Sequence, residues 1–358
     1  MQIENELKEF KARLDPKIGA YFDIAIEKAI KEDVFVADAL KYSQAFVLAG
    51  GKRLRAAFMY YGYIGAGGKE EEEMLKTSMS IELIHAFLLV HDDIIDKDDT
   101  RHGIATFHQH YADIGKLLFP GKNNEHFGNS IAIVIGDMLG AFGNDIIFSS
   151  AFPLEQKFKA LLKLQDIVSY TVIGQVRDVY IEYVGSASEA EILSMYRNKT
   201  AKYTVEGPLY LGALLAGASK ELLNGFSAYS IPLGIAFQIQ DDILGIFGNE
   251  KRIGKPVGSD IAEGKITLLV SRALRDGTFV QKKRIMKILS LGEELQEKEI
   301  EEFRSIIKDT GALDGTKQLA GEYIEEGKHA LGEIQNILDP RAYDFLFSIA
   351  EYMMKREH

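Results

Sequence analysis

The stretch Leu75–Asp96, LKTSMSIELIHAFLLVHDDIID, decides how the chain is read. Apolar residues recur in it at three- and four-residue spacing, as at Leu75, Met79, Leu83 and Ala86, which is the period of a helix. The same spacing continues along almost the whole chain. Clean period-two alternation of β-branched residues is missing, and proline occurs only 7 times, so little interrupts a helical reading. The expectation is an all-α protein. Helices are predicted over 2–14, 18–31, 36–49, 53–66, 70–91, 129–150, 155–184, 189–198, 200–217, 220–246, 262–276, 280–291, 296–310, 314–336 and 340–355. Ser188-x-x-Glu191 matches a capping box. Asp260 precedes a helix-like run and is placed to cap it. Phe119–Phe127 (FPGKNNEHF) is polar and reads as a loop.

Composition narrows the function. The chain has 358 residues, 46% hydrophobic and 27% charged, an ordinary globular balance able to bury a large core. With no cysteine there is no disulfide, no thiolate zinc site and no cysteine nucleophile. A net charge of −11 speaks against a nucleic-acid partner, so anionic substrates need local bases or metal ions. The N-terminus MQIENELKEF lacks the basic and apolar regions of a secretory signal. No unbroken run approaches the roughly 18–20 apolar residues of a membrane span. The longest, Leu209 to Ala218, has the length of a core helix. The reading is a soluble, cytoplasmic chain without a membrane span, forming one domain over 1–358.

Four groups of residues carry chemistry. In IELIHAFLLVHDDIID (81–96) an apolar helix runs into Asp92, Asp93 and Asp96. Asp92 and Asp96 are four apart and share a helix face, so they can hold or bridge hard divalent cations. The macrodipole disfavours acids near a helix C-terminus, and a bound cation relieves that cost. In IAFQIQDDILGIFG (235–248) Asp241 and Asp242 repeat the arrangement, with Gly245 at the third position of a DDxxD spacing. Two such helices facing each other would make a metal cluster over an apolar shaft. The basic set comprises Lys52 and Arg55 in GGKRLR, Arg101 after the first acids, and Lys199-Thr200, Lys255 and Lys265 in or beside turns. Glycines before a helix start with adjacent bases suit an anion. Gly258–Lys265 does not fit a Walker P-loop: the glycines are one residue too far apart, and Ile266 stands where Ser or Thr is needed. Finally, His85 lies seven residues before Asp92 on the same face, and His91-Asp92 forms an HD dyad.

In this order, GGKRLR, LIHAFLLVHDDIIDKDDTRHG, KTAKY, FQIQDDILGIFG and GKPVGSDIAEGK, the motifs resemble those of the trans-type isoprenyl (polyprenyl) diphosphate synthases. The match runs from about residue 45 to 270. The resemblance implies a bundle of long helices around a deep apolar cavity, the isoprenoid synthase type, and a homodimer. It implies Mg²⁺-dependent, head-to-tail condensation of isopentenyl diphosphate with an allylic diphosphate. Asp92, Asp96 and Asp241 would ligate three Mg²⁺ ions with the bound diphosphate, supported by Asp93 and Asp242. Arg101, Lys199 and Lys255 would contact that diphosphate, with Lys265 nearby. Lys52, Arg55 and His85 match the isopentenyl diphosphate site. Thr200 and Gln238 match the polar groups facing the allylic cation, and Gln175 and Asp178 a pair on the cavity wall.

Three positions depart from the family pattern: Gly245 for an aspartate, His102 for an arginine and Ala56 for a proline. Phe87 lies five residues before Asp92, about 7.5 Å along the helix, and DDIID carries no insertion. That pattern resembles the archaeal-type geranylgeranyl synthases, so Phe87 is expected to floor a cavity that holds a twenty-carbon product, with a fifteen-carbon farnesyl product as runner-up. Helical phase places Leu88, His85 and Ile84 on the Asp92 side and Phe87 toward a flank. Two rival readings are a non-catalytic partner subunit of a heteromeric synthase and an HD-type phosphohydrolase.

Overall fold

The computed structural model describes residues 2–248 and 258–354. It is helical almost throughout. The helices are α1 Gln2–Glu32, α2 Val34–Leu48, α3 Leu54–Gly65, α4 Glu71–Thr77, α5 Met79–Asp96, α6 Phe107–Leu118, α7 Asn124–Ser149, α8 Leu154–Val184 and α9 Glu189–Tyr196. A π-helix, Arg197–Glu206, leads into α10 Gly207–Leu215 and α11 Lys220–Phe247. Then come α12 Ser259–Ala262, α13 Leu268–Asp276, α14 Phe279–Leu289, α15 Glu297–Asp309, α16 Ala312–Glu333 and α17 Pro340–Met354. Among the described residues the only sheet is an antiparallel pair, β1 Thr100–Arg101 with β2 Ile104–Ala105.

The chain divides into two compact units. One comprises the residues up to Ile64, Gly68–Leu161 and Gly212–Gly217. In it α7 packs along α5 and α6, and α1 lies along α2. Its core holds fully buried Phe22, Phe58, Phe107 and Tyr111. The other comprises Gly65–Gly67, Leu162–Leu211 and the chain from Ala218 onward. There α11 packs on the π-helix and α16, around buried Ile239, Tyr196, Leu268 and Phe303.

Several elements differ from expectation. The predicted pair 2–14 and 18–31 is one helix through Pro16. Proline removes one ladder bond, yet Leu14, Ile18 and Phe22 on either side are essentially fully buried and hold the helix together. The predicted helix 70–91 breaks at Ser78 and continues through Asp96, so the first aspartates lie inside α5, whose chain reverses at Lys97 (φ 57°). Helix α6 was not anticipated. The capping box at Ser188 and Glu191 is formed. Asp260 does not cap: Gly258 holds that position for α12, and Thr267 caps α13. Two helices, α7 and α11, are long and apolar enough to cross a membrane by length and composition, where the sequence reading found none. Gly, Asn and Asp interrupt both, so no unbroken apolar run flags them. Within their most apolar windows 44% and 56% of the residues are buried.

Candidate active site

In the first unit, the double-glycine turn before α3 sorts its bases by direction. Arg53 takes a positive φ of 55° and turns inward. It donates to Asp15 (2.7 Å) and to the Val47 carbonyl (2.7 Å), and pairs with buried Glu82 (3.4 Å). Glu82 also accepts from the Ala56 backbone N–H at 3.0 Å, tying the start of α3 to α5. Arg53 is therefore a structural base, and Lys52 is left exposed. Arg55 reaches α5, its Nη1 lying 3.1 Å from His85 Nε2. A guanidinium has only N–H groups to give, so Nε2 accepts and the proton of His85 sits on Nδ1. Burial, then Arg55, Arg101 and Arg53, hold the His85 pKa well below the ordinary histidine value.

The two aspartates after Val90 have different surroundings. Asp92 and Asp96 are half-buried on one face of α5, while Asp93 is fully buried. Arg101 Nε donates to Asp93 at 2.6 Å, and Nη2 pairs with Asp93 and with Asp98 (3.0 Å). Burial pushes the Asp93 carboxyl up to about 6 against the pull of Arg101. Arg101 sits on β1, and the hairpin turns through His102 and Gly103, both at positive φ (52° and 82°), as tight two-residue hairpins require. The His102 ring lies where a Gly50 side chain would be, 2.2 Å from a Cβ built there. Burial and then Arg101, Arg53 and Lys11 lower its pKa.

Helix α7 meets α5 through glycines. Cβ atoms on Gly136, Gly140 and Gly143 would meet His91 (2.4 Å), Phe87 (3.3 Å) and Ile84 (2.7 Å) respectively. Phe87 thus lies over Gly140 and edge-on to His91, with ring centroids 5.0 Å apart. Ile84, assigned by helical phase to the Asp92 side, instead shares the α7-facing side with Phe87. His91 Nδ1 donates to the Phe87 carbonyl at 2.9 Å, and Nε2 faces Asp137 at 3.5 Å, which spends the ring of the HD dyad on helix packing.

In the second unit, Lys199 and Thr200 lie within the π-helix, not in a turn as expected. Gly174 of α8 meets that helix closely: a Cβ there would lie 2.4 Å from the Lys199 backbone nitrogen. One α8 turn on, Asp178 pairs with Lys199 Nζ at 2.6 Å. The Thr200 hydroxyl donates to Gln238 Oε1 (2.6 Å), and Gln238 Nε2 donates to Asp242 Oδ1 (2.8 Å). Tyr196 donates to the other oxygen, Asp242 Oδ2, and itself accepts from the Leu268 N–H at 3.0 Å. Asp242 is buried and Asp241 exposed. Burial pushes the Asp242 carboxyl up to about 8, opposed by the Tyr196 bond. Lys265 pairs with Glu263. Lys255 lies outside the described residues.

Asp260, expected only as a helix cap, instead lies against the second aspartate motif. A Cβ on Gly245 would lie 2.4 Å from Asp260 Oδ2. The third position of the second DDxxD spacing is glycine where the carboxylate of Asp260 fills the space. Among the described residues no three His, Asp or Glu side chains group closely enough to hold a metal alone. Hard carboxylate oxygens supplied one or two at a time suit Mg²⁺, which fills the rest of its octahedron with water and substrate phosphate.

The polyprenyl synthetase family model matches residues 37–307. The chain belongs to that family. It is a trans-prenyltransferase of the isoprenyl diphosphate synthase kind, a metal-dependent class. The geranylgeranyl diphosphate synthase of Methanosarcina mazei is 32% identical, over 100% of this chain and 99% of the relative. The geranylfarnesyl diphosphate synthase of Aeropyrum pernix is also 32% identical, over 87% and 92% of the two chains. Among solved structures, the geranylgeranyl pyrophosphate synthase of Corynebacterium glutamicum, complexed with isoprenyl diphosphate and magnesium, superposes with a TM-score of 0.92. It shares 31% identity and covers 98% of this chain and 99% of its own. As a polyprenyl synthetase, the chain has its HD dyad explained without phosphohydrolase chemistry.

Proposed function

We propose that the protein condenses isopentenyl diphosphate head-to-tail with an allylic diphosphate to give geranylgeranyl diphosphate. One observation carries the reading. Helix α5 presents the Arg55-paired His85 and, seven residues or about 10.5 Å further along, the Asp92–Asp96 carboxylate face. A reaction joining two diphosphates needs such a base-lined seat and a carboxylate seat held at fixed separation.

In this reading Asp92, Asp96 and Asp241 hold Mg²⁺ at the allylic diphosphate, with three ions bound. Mg²⁺ held there would supply positive charge to the leaving pyrophosphate as a Lewis acid. Arg101, Lys199 and Lys255 add charge there, with Lys265 beside them. Arg101 and Lys199 are pre-aimed by Asp93 and Asp178, so little reorganisation accompanies ionisation of the allylic C–O bond. Lys52, Arg55 and His85 seat isopentenyl diphosphate. Its double bond attacks the allylic C1, and the proton lost from the new chain passes to the departing pyrophosphate. Thr200 and Gln238 face the cation with oxygen dipoles that are too weakly nucleophilic to trap it.

Product length rests on Phe87, backed by Gly140, and on the similarity to geranylgeranyl synthases; geranylfarnesyl relatives make a longer product the neighbouring alternative. The reading includes a homodimer, and one functional domain over 1–358, supported by a family match that runs through both units. Purified protein with Mg²⁺, isopentenyl diphosphate and dimethylallyl, geranyl or farnesyl diphosphate should yield a twenty-carbon alcohol after phosphatase treatment. Chelation of Mg²⁺ should abolish it. Phe87→Ala should lengthen the product, and an unchanged profile would remove Phe87 as the floor. No condensation with any primer by folded protein would favour a non-catalytic partner subunit.

A further inference from the structure

The geometry assigns to Asp242 the role of a positioning residue that fixes the orientation of the Gln238 amide and, through it, the Thr200 hydroxyl. It is not a metal ligand. The inference rests on the prenyl-transfer reading and deepens it.

Oδ1 of Asp242 accepts from Gln238 at 2.8 Å, and Oδ2 accepts from Tyr196. Both oxygens are engaged by side chains, and the residue is only 6% exposed. An amide has one acceptor end and one donor end. With its nitrogen drawn to Asp242, Gln238 must turn its oxygen to Thr200, and that oxygen takes the Thr200 hydroxyl hydrogen at 2.6 Å. Thr200 is thereby left with only lone pairs for any other neighbour. Beside a developing carbocation that is the favourable polarity. A flipped amide would send the hydroxyl hydrogen outward and place the positive end of the dipole toward the cation. Tyr196 anchors the far side, since it accepts from the Leu268 backbone at 3.0 Å while donating to Asp242. The first motif divides in the same way: Asp93 is buried and bonded to Arg101, while Asp92 is half-buried.

The variants separate amide orientation from metal binding. Asp242→Asn keeps one acceptor, which the Tyr196 hydroxyl takes because it already accepts from Leu268, so the new amide turns its N–H to Gln238. Asp242→Leu keeps the bulk and no acceptor. With Mg²⁺, isopentenyl diphosphate and geranyl diphosphate, D242N should lose kcat because it reverses the Gln238 amide, with the half-saturating Mg²⁺ of the parent. D242L should lose about 10- to 100-fold in kcat, the usual loss when a group orienting a functional one is removed, with KM for both substrates little changed. Should D242L not fold, a swap decides. Gln238→Glu offers no N–H to Asp242 and should lose kcat, and the double variant Q238E/D242N, with carboxylate and amide exchanged, should regain most of it. D242N or D242L as active as the parent, a raised Mg²⁺ requirement in D242N, or a swap without rescue would each overturn the assignment. Inactivity of the unaltered protein would instead overturn the prenyl-transfer reading itself.

Discussion

Arg55 offers only N–H groups, so its bond to His85 fixes a protonation state as well as a distance. The His85 pKa is held well below its ordinary value, by burial first and the arginines second. The sign follows from linkage. A histidine depressed in the folded state contributes stability that is present above its unfolded pKa of about 6.5 and is lost as pH falls below it, at most about 1.4 kcal/mol per pH unit. His85→Gln should therefore flatten the fall in melting temperature between pH 7 and 5.5. Equal pH slopes for parent and variant would show that His85 titrates freely. Gly245 supplies a second prediction at this scale. The family pattern puts aspartate there, but a Cβ would approach Asp260 Oδ2 to 2.4 Å. Gly245→Asp should lower the melting temperature and kcat together, because it sets a second carboxylate against that of Asp260. Asp260→Gly in the same background should recover the melting temperature. A stable, fully active G245D would show that the Asp260 carboxylate moves aside freely.

At the scale of elements, the seam between α5 and α7 is made of glycines that are not equivalent. A Cβ on Gly143 meets the backbone oxygen of Ser80 at 2.9 Å and buried Ile84 at 2.7 Å, while the nearest atoms to one on Gly140 belong to the half-buried Phe87 ring, at 3.3 Å. Helix propensity favours alanine over glycine by about 1 kcal/mol. Gly143→Ala should nonetheless lower the melting temperature, because backbone cannot yield, and Gly140→Ala should be near neutral. Thermal unfolding of the two variants checks this, and equal melting temperatures would show that the seam opens freely.

These elements also mark what could be read in advance. Helical period placed α8, α11 and most of α5, and with them Gln175, Asp178, Gln238, Asp241 and Asp242, because each amphipathic face repeats along one continuous helix; the candidate bases lie off these helices, as at Arg55 in α3, Arg101 on β1 and Lys199 in the π-helix. Helix α6 (FHQHYADIGKLL) went unread because its first turn is mostly polar and aromatic. The π-helix went unread because i→i+5 bonding leaves no distinct spacing of apolar residues. Pro16 predicts a break that does not form, since burial of Leu14 and Ile18 outweighs one lost ladder bond. Contacts distant in sequence were out of reach: Asp260 filling the place of a Gly245 side chain, His102 over Gly50, and Tyr196 on Asp242.

For the whole molecule, the face of α8 away from its own core bears on assembly. Ile167, Thr171 and Ile181 are buried, and Gly174 is pressed against the π-helix. Between them, at three- and four-residue spacing, Ile173, Val176 and Tyr180 remain 54%, 64% and 57% exposed. A run of large apolar side chains on one helix face is costly to leave in water, and a second copy of the same face is the simplest cover, since two-fold interfaces are self-complementary. The protein should therefore sediment at twice the 39.9 kDa chain mass. Val176→Glu places a charge on that face, where a two-fold axis would set it near its own copy. It should shift the protein to single chains at micromolar concentration with its helical circular dichroism intact. Because Val176 is more exposed in the single chain than either neighbour in the stripe, loss of helicity is not the expected route to dissociation. A V176E protein that still sediments as a dimer would place the interface elsewhere, and a parent protein that sediments as a single chain would remove the homodimer from the proposal.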